Sequence, residues 1–324
     1  MTDFAPVEKA QSFRQPSTAN LMVDSFDNNT LSGQPVNASM LQVYDFTIQR
    51  PTSILNGFFT RIGVSEVVLE WSIPNIHGSY GTSEDASPNN TMTFEASGVA
   101  LTTVTFAEGN YTAAGLLNAV ATTLTNLCSG LAPAITWTVA ITTVVIGGAG
   151  VATSTRSSPC LIPSGAIQDV IFGGPIADLL NLPRLIATNW STAVPIPINS
   201  YDVDLRPYRY LDFVSPTLTY TQALKDSSTA PQVRDVLCRW YMDFDDSVEY
   251  DTYGFPILMG YLPFRIRRLF SPPKQIRWEP NLPLGNLTFQ VYGDDGQLAT
   301  LMNKVLLGSI PGANWLMTLQ VSEV

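Results

Sequence analysis

The chain has 324 residues, of which 45% are hydrophobic and only 14% charged, with a formal net charge of −10 at pH 7. A chain of this length buries about three quarters of the surface its unfolded form exposes, so no disulfide or metal staple is required, and so few solvating charges imply surface covered by partners, self-association being the simple reading. The acidic balance speaks against direct nucleic-acid binding, which Lys and Arg drive by displacing counterions; the first forty residues set Lys9 and Arg14 against Asp3, Glu8, Asp24 and Asp27, so there is no basic arm.

Residues 1–39 are dense in Gln, Ser, Asn, Pro and Gly and read as an extended N-terminal arm. Met1 to Gln15 holds no apolar run, so no secretory signal is expected. A first strand is predicted over 40–49, with Tyr44, Phe46 and Ile48 on one side. A second runs over 63–73, placing Val67, Leu69, Trp71 and Ile73 on a dry face and Glu66, Glu70 and Ser72 on a wet one. Pro74 and Asn75 stop it, a polar loop over 77–90 follows, and further strands are predicted near 92–96 and 102–106.

From Gly109 to Thr155 there is no charged residue. A membrane hairpin does not follow, because Pro133 and alternating Thr residues leave no run of about twenty apolar residues. Leu116, Leu117, Val120, Leu124 and Leu127 recur at helical spacing, with Asn110 or Thr112 available as the cap and a neutral Thr/Asn face opposite, suited either to contact or to water. Strands at 135–141 and 144–146 and a helical turn at 176–180, ended by Pro183, complete a small α+β module. Strands return at 208–214, 233–244, 274–278, 287–292 and 314–322, with a tight turn at Gly293–Gly296. Period-two alternation along so much of the chain implies a mainly β fold, a β-sandwich with sheets packed face to face.

Reactive constellations are sparse. His77 is the single histidine, so a two-histidine zinc site is excluded and no nucleophile elbow lies near it. Gly147, Gly148 and Gly150 lack the Lys-Ser or Lys-Thr of a phosphate loop. Cys128, Cys160 and Cys238 are odd in number and widely spaced, which suits core filling rather than a disulfide framework. Asp243, Asp245, Asp246, Glu249 and Asp251 form an acidic cluster without the glycine bend of a calcium loop. Arg265, Arg267, Arg268, Lys274 and Arg277 form a basic one. Facing clusters on neighbouring subunits make Asp243, Asp245, Asp246, Arg265, Arg267 and Arg268 a candidate subunit interface. No catalytic residue, metal or cofactor is expected.

The run from Ile54 to Ile76 (ILNGFFTRIGVSEVVLEWSIPNI), the stretch Phe106–Thr112 before the helix, Leu287–Leu298 (LTFQVYGDDGQL) and Trp315–Glu323 (WLMTLQVSE) resemble the penton, or vertex, proteins of virophages and polinton-like viruses. The resemblance implies a single jelly roll over 40–324, interrupted by an inserted module at roughly 101–187. It also implies a homopentamer at an icosahedral virion vertex, touching a double jelly-roll major capsid protein and minor capsid or spike proteins. The chain departs from the pattern at Leu180-Asn-Leu-Pro183, where relatives carry a Leu-Gly-Phe type turn. The alternative is a receptor- or glycan-binding sandwich such as a fibre head, with Trp190, Tyr201, Tyr208 and Tyr210 stacking on sugars.

Overall fold

The computed structural model describes residues 18–25, 43–49, 61–78, 88–146, 154–182, 184, 189–198, 203–219, 236–242, 249–258, 261–271, 275–277, 286–303, 305–306 and 310–322. In chain order the strands are β1 (Thr18–Asp24), β2 (Asp45–Gln49), β3 (Arg61–Trp71), β4 (Thr91–Ala96) and β5 (Val99–Thr105), followed by helix α1 (Ala113–Leu127). Next come β6 (Trp137–Ile146), β7 (Ser154–Pro163), β8 (Ile171–Gly173), helix α2 (Pro175–Leu179) and β9 (Ile196–Pro197). The chain continues through β10 (Tyr210–Val214), β11 (Val236–Tyr241), β12 (Glu249–Tyr250), β13 (Pro256–Ile257), β14 (Phe264–Leu269) and β15 (Gln275–Arg277). It ends with β16 (Asn286–Tyr292), β17 (Val305–Leu306), β18 (Ile310–Pro311) and β19 (Ala313–Ser322).

Two antiparallel sheets share one core. The first has the order β1-β19-β3-β14, with β15 also on β3; the second has the order β11-β10-β16-β2. β3 is an inner strand of the first sheet, and Ser65 interrupts its alternation. Thr318 of β19 faces Glu66 while Leu319 faces Val64, so Ser65 is the extra residue of a bulge, its hydroxyl donating to the Thr318 carbonyl at 3.1 Å. The bulge resets the face, which keeps Ile62 and Val64 buried along with Val67, Leu69 and Trp71. Between the sheets, Trp315 of β19 meets Phe46, Phe213 and Phe289, one from each of β2, β10 and β16, with ring centroids 5.5, 5.2 and 5.7 Å away. Its indole N–H donates to the Val43 carbonyl at 2.7 Å, so the ring is buried without an orphaned donor.

A second apolar core draws on residues from Ile76 to Leu205, a span that contains the 101–187 segment, and takes in Phe255 and Tyr261 from beside the β12–β13 ladder. The three-stranded sheets β5-β4-β8 and β6-β7-β9 pack here with α1. Thr112 caps α1 by accepting from the Gly115 N–H at 3.1 Å. Ala113, Leu116, Leu117, Val120, Ala121 and Leu124 form its buried stripe, while Gly115, Asn118, Thr122 and Asn126 face outward. Asparagines hold the junction with β3. Asn75 donates to the Tyr111 carbonyl (2.7 Å) and accepts from its N–H (2.8 Å). Asn89 accepts from the His77 N–H (2.7 Å) and donates to the Asn75 carbonyl (2.7 Å).

Several elements differ from the sequence reading. Thr18–Asp24, within the expected arm, is an edge strand paired with β19 from Ser322 to Leu316; Val23 is its one buried hydrophobic side chain, which is why periodicity misses it. The strands expected at 135–141 and 144–146 are one strand, β6, and its partner β7 lies in a Ser-rich stretch that carries no alternation. The loop histidine His77 is buried.

Replacing Trp315 by Ala is expected to cost about 3–5 kcal/mol in urea unfolding, the range for emptying a large aromatic site; a loss below about 1 kcal/mol would show that the two sheets do not depend on this ring. Cys128, Cys160 and Cys238 are free and buried, and burial pushes all three thiols above their ordinary range. Iodoacetamide at pH 8 is therefore expected to leave the native protein unlabelled and to label all three cysteines in urea.

Candidate functional site

The basic cluster lies on β14, the edge strand beside β3. Phe264 and Ile266 turn toward the core while Arg265 and Arg267 point outward, so a period-two pattern is present in FRIRRL, masked by its charge. On the wet face of β3 the register sets Arg265 opposite Glu70. The Arg265 Nε lies 2.8 Å from the Glu70 carboxylate, and Arg267 holds Glu66 through two nitrogens, Nη2 donating at 3.1 Å. The hydrogen-bonded Glu66 carboxylate raises the Arg267 guanidinium above its ordinary range. Arg265 and Arg267 thus have acidic partners within their own subunit, which the sequence reading did not pair with them although it had named Glu66 and Glu70 as the outer face of that strand.

Arg268 behaves differently. It sits half-buried, with its guanidinium carbon 5.8 Å from the Phe270 ring centre and 6.0 Å from that of Tyr241 on β11, the terminal strand of the other sheet. One cation thereby bridges the seam between the two sheets. Beside it, Arg239 clasps the buried carboxylate of Asp212 at 2.6 and 2.8 Å and lies 3.9 Å above the Tyr210 ring, which packs edge-on against Tyr241. The hydrogen-bonded Asp212 holds the Arg239 charge well above the ordinary guanidinium range. This Arg–Asp–Tyr group gave no sequence signal, because Arg239 lies 27 residues beyond Asp212 and reaches it and Tyr210 only through the β10–β11 pairing.

Asp243, Asp245 and Asp246, together with Lys274 and Gly147, Gly148 and Gly150, lie outside the described residues. Glu249 is exposed on β12, and Asp251 is engaged in a turn, accepting from the Tyr253 N–H at 2.8 Å and the Phe255 N–H at 3.0 Å. Among the described residues no three acidic, histidine or cysteine side chains converge as metal ligands. Of the aromatics considered for sugar stacking, Trp190 and Tyr208 are buried, Tyr210 packs beneath Arg239, and Tyr201 lies outside the described residues.

No protein-family model matches the sequence, and no curated protein matches it. Two solved structures are similar over nearly the whole chain. The crystal structure of the selenomethionine-labelled mavirus penton protein aligns with a TM-score of 0.42 and 13% identity, covering 96% of this chain and 100% of that one. The cryo-EM structure of the Sputnik virophage aligns with a TM-score of 0.39 and 11% identity, covering 94% and 98%.

Arg239→Ala would leave Asp212, 7% exposed, without its bidentate donor. The expected loss is about 2 kcal/mol in urea unfolding, only partly restored by Arg239→Lys because an ammonium cannot reproduce the planar fork. Equal stability of all three proteins would show that the clasp contributes nothing.

Proposed function

We propose that this chain is a structural capsid protein whose five copies close a vertex of an icosahedral virion and meet neighbouring capsomers built from a double jelly-roll major capsid protein. Strand order carries the reading. Leaving β15 aside, the chain passes through the two sheets as β1, β2, β3, β10, β11, β14, β16 and β19, crossing between sheets at every step except β10 to β11. Eight strands in two packed sheets with crossing connections support a jelly roll, an architecture of viral capsid and lectin domains. The segments that resemble vertex proteins include β3, β16 and β19, three strands of the sandwich, together with the lead into α1 and the turn after β16.

In this reading the residues do mechanical work and no reaction is catalysed. A ring of identical subunits needs a head-to-tail contact between two different patches. The basic edge at Arg265, Arg267 and Arg268, facing Asp243, Asp245 and Asp246 of a neighbour, is one such pair of patches. Because Glu66 and Glu70 already engage two of these arginines, the intersubunit contact would be to neutralised ion pairs plus Arg268. The inserted module, built on the second core between Ile76 and Leu205, would be a separate body carried by the jelly roll. Minor capsid or spike proteins are further partners, and the virion is the expected location.

Particles co-assembled from this chain and its major capsid protein are expected to show five copies at each vertex by cryo-EM, and an Arg267→Glu/Arg268→Glu variant to assemble less well at low salt. Density for this chain at sites other than the five-fold axes, or a soluble trimer that binds a glycan array, would replace the vertex reading with the receptor-binding one.

A further inference from the structure

The connection between β11 and β14 leaves the sandwich and packs its side chains into the other core. It departs at Met242 and returns at Phe264, both of which pack in the first core, yet none of the described residues between them joins that core. Phe255 and Tyr261 are buried in the second core instead, with Tyr253 and Leu258 packed against it. Both ends of this strap are tied to residues 203–209, through which the chain returns from the second core to β10. The Met242 N–H donates to the Arg209 carbonyl at 2.9 Å, and the Tyr261 hydroxyl donates to the Val203 carbonyl at 3.3 Å. The return segment is itself braced, because Asp204 accepts from the Arg206 backbone N–H at 3.0 Å and from its Nε and Nη2 at 2.9 and 2.7 Å. Within the strap Asp251 shapes the turn, its Oδ1 accepting from the Tyr253 and Phe255 N–H groups, and so sets Phe255 against the second core.

We propose that the strap over 249–258, with its anchor Tyr261, is a latch that fastens the second core to the sandwich and opens as a local unit while both sheets stay folded. Its own structure does not keep it shut. The β12–β13 ladder has two residue pairs, Glu249 with Ile257 and Tyr250 with Pro256, and a lone two-stranded hairpin is marginal at best in water. Glu249, Tyr250 and Thr252 are exposed, so closure depends on Phe255 and Tyr261, with Tyr253 and Leu258 beside them. Opening also has a compensation, since Asp251 Oδ2 is buried without a hydrogen-bond partner and an open strap returns that oxygen to water. The framework differs, with β19 paired to β3 from Ala313 to Ser322. When the strap opens, the asparagine junction beyond β3 is left as the hinge side on which the second core turns. The latch stands whether or not five copies close a vertex.

The test is native-state hydrogen exchange on the full chain, read by mass spectrometry at increasing urea below the unfolding transition. Peptides over 249–263 and 203–209 are expected to exchange at rates that low urea barely changes, because a local opening exposes little surface, while β3 and β19 exchange with the steep urea dependence of global unfolding. Phe255→Ala is expected to speed exchange over 249–263 about tenfold or more, leaving β6, β7 and β19 protected as before. Tyr261→Phe, which keeps the ring and loses only the bond to Val203, is expected to act in the same direction by less. Exchange over 249–263 with the urea dependence of β19 would show that the strap opens only with the whole molecule, and would overturn the latch. Acceleration of β6 or β19 by Phe255→Ala equal to that over 249–263 would overturn it as well, Phe255 then being an ordinary core residue.

Discussion

Trp315 is the point at which two sheets become one sandwich. Its ring lies on the first sheet, yet the three aromatic rings that surround it come from three strands of the second, and its only polar atom is satisfied by the Val43 carbonyl just ahead of β2. Burial of an indole removes about 150–250 Å² from water, and edge-on ring contacts add further attraction. Neither sheet presents a complete apolar face without the other, so the spacing and relative position of the layers are set where this side chain seats. The alternation of β16 and β2, Leu287, Phe289 and Val291 against Phe46 and Ile48, then has one register in which it can close.

The same logic accounts for the bulge at Ser65. A strand of eleven residues twists and bends as it crosses its partners, and strict alternation along its whole length would carry part of its apolar set out of the core. One extra residue corrects the phase, and the freed Ser65 hydroxyl and carbonyl are satisfied by Thr318 and Phe270. Downstream, Ser72 donates twice to the Gly312 carbonyl, and the asparagine network begins three residues later. β3 is thus fastened at its bulge and at its exit.

How much of this was legible followed from how much each element buries. Strands with one wet and one dry face, such as β3, β16 and β19, announced themselves through period-two patterning, and α1 through its leucine stripe and Thr112 cap. β1 did not, because an edge strand with a single buried hydrophobic residue needs β19 to hold it rather than its own sequence. β14 was obscured by arginines on its outer face, although Glu66 and Glu70 on the wet side of β3 are the matching charges. At the candidate site, residue types were visible but partners were not, since an Arg–Asp clasp between β10 and β11 depends on strand register. Exposure was the other quantity that residue type could not supply, as buried Trp190 and Tyr208 show.

The asparagine junction gives the second core a definite load path. Asn75 and Asn89 tie the backbone directly beyond β3 to Tyr111 and to the stretch leading into β4, through short, directional bonds rather than through an apolar contact that could slide. A push or pull on the second core is therefore delivered to β3, where β19 and β14 share it on either side. Strain entering through that junction therefore meets a paired, inner strand before it meets any loop.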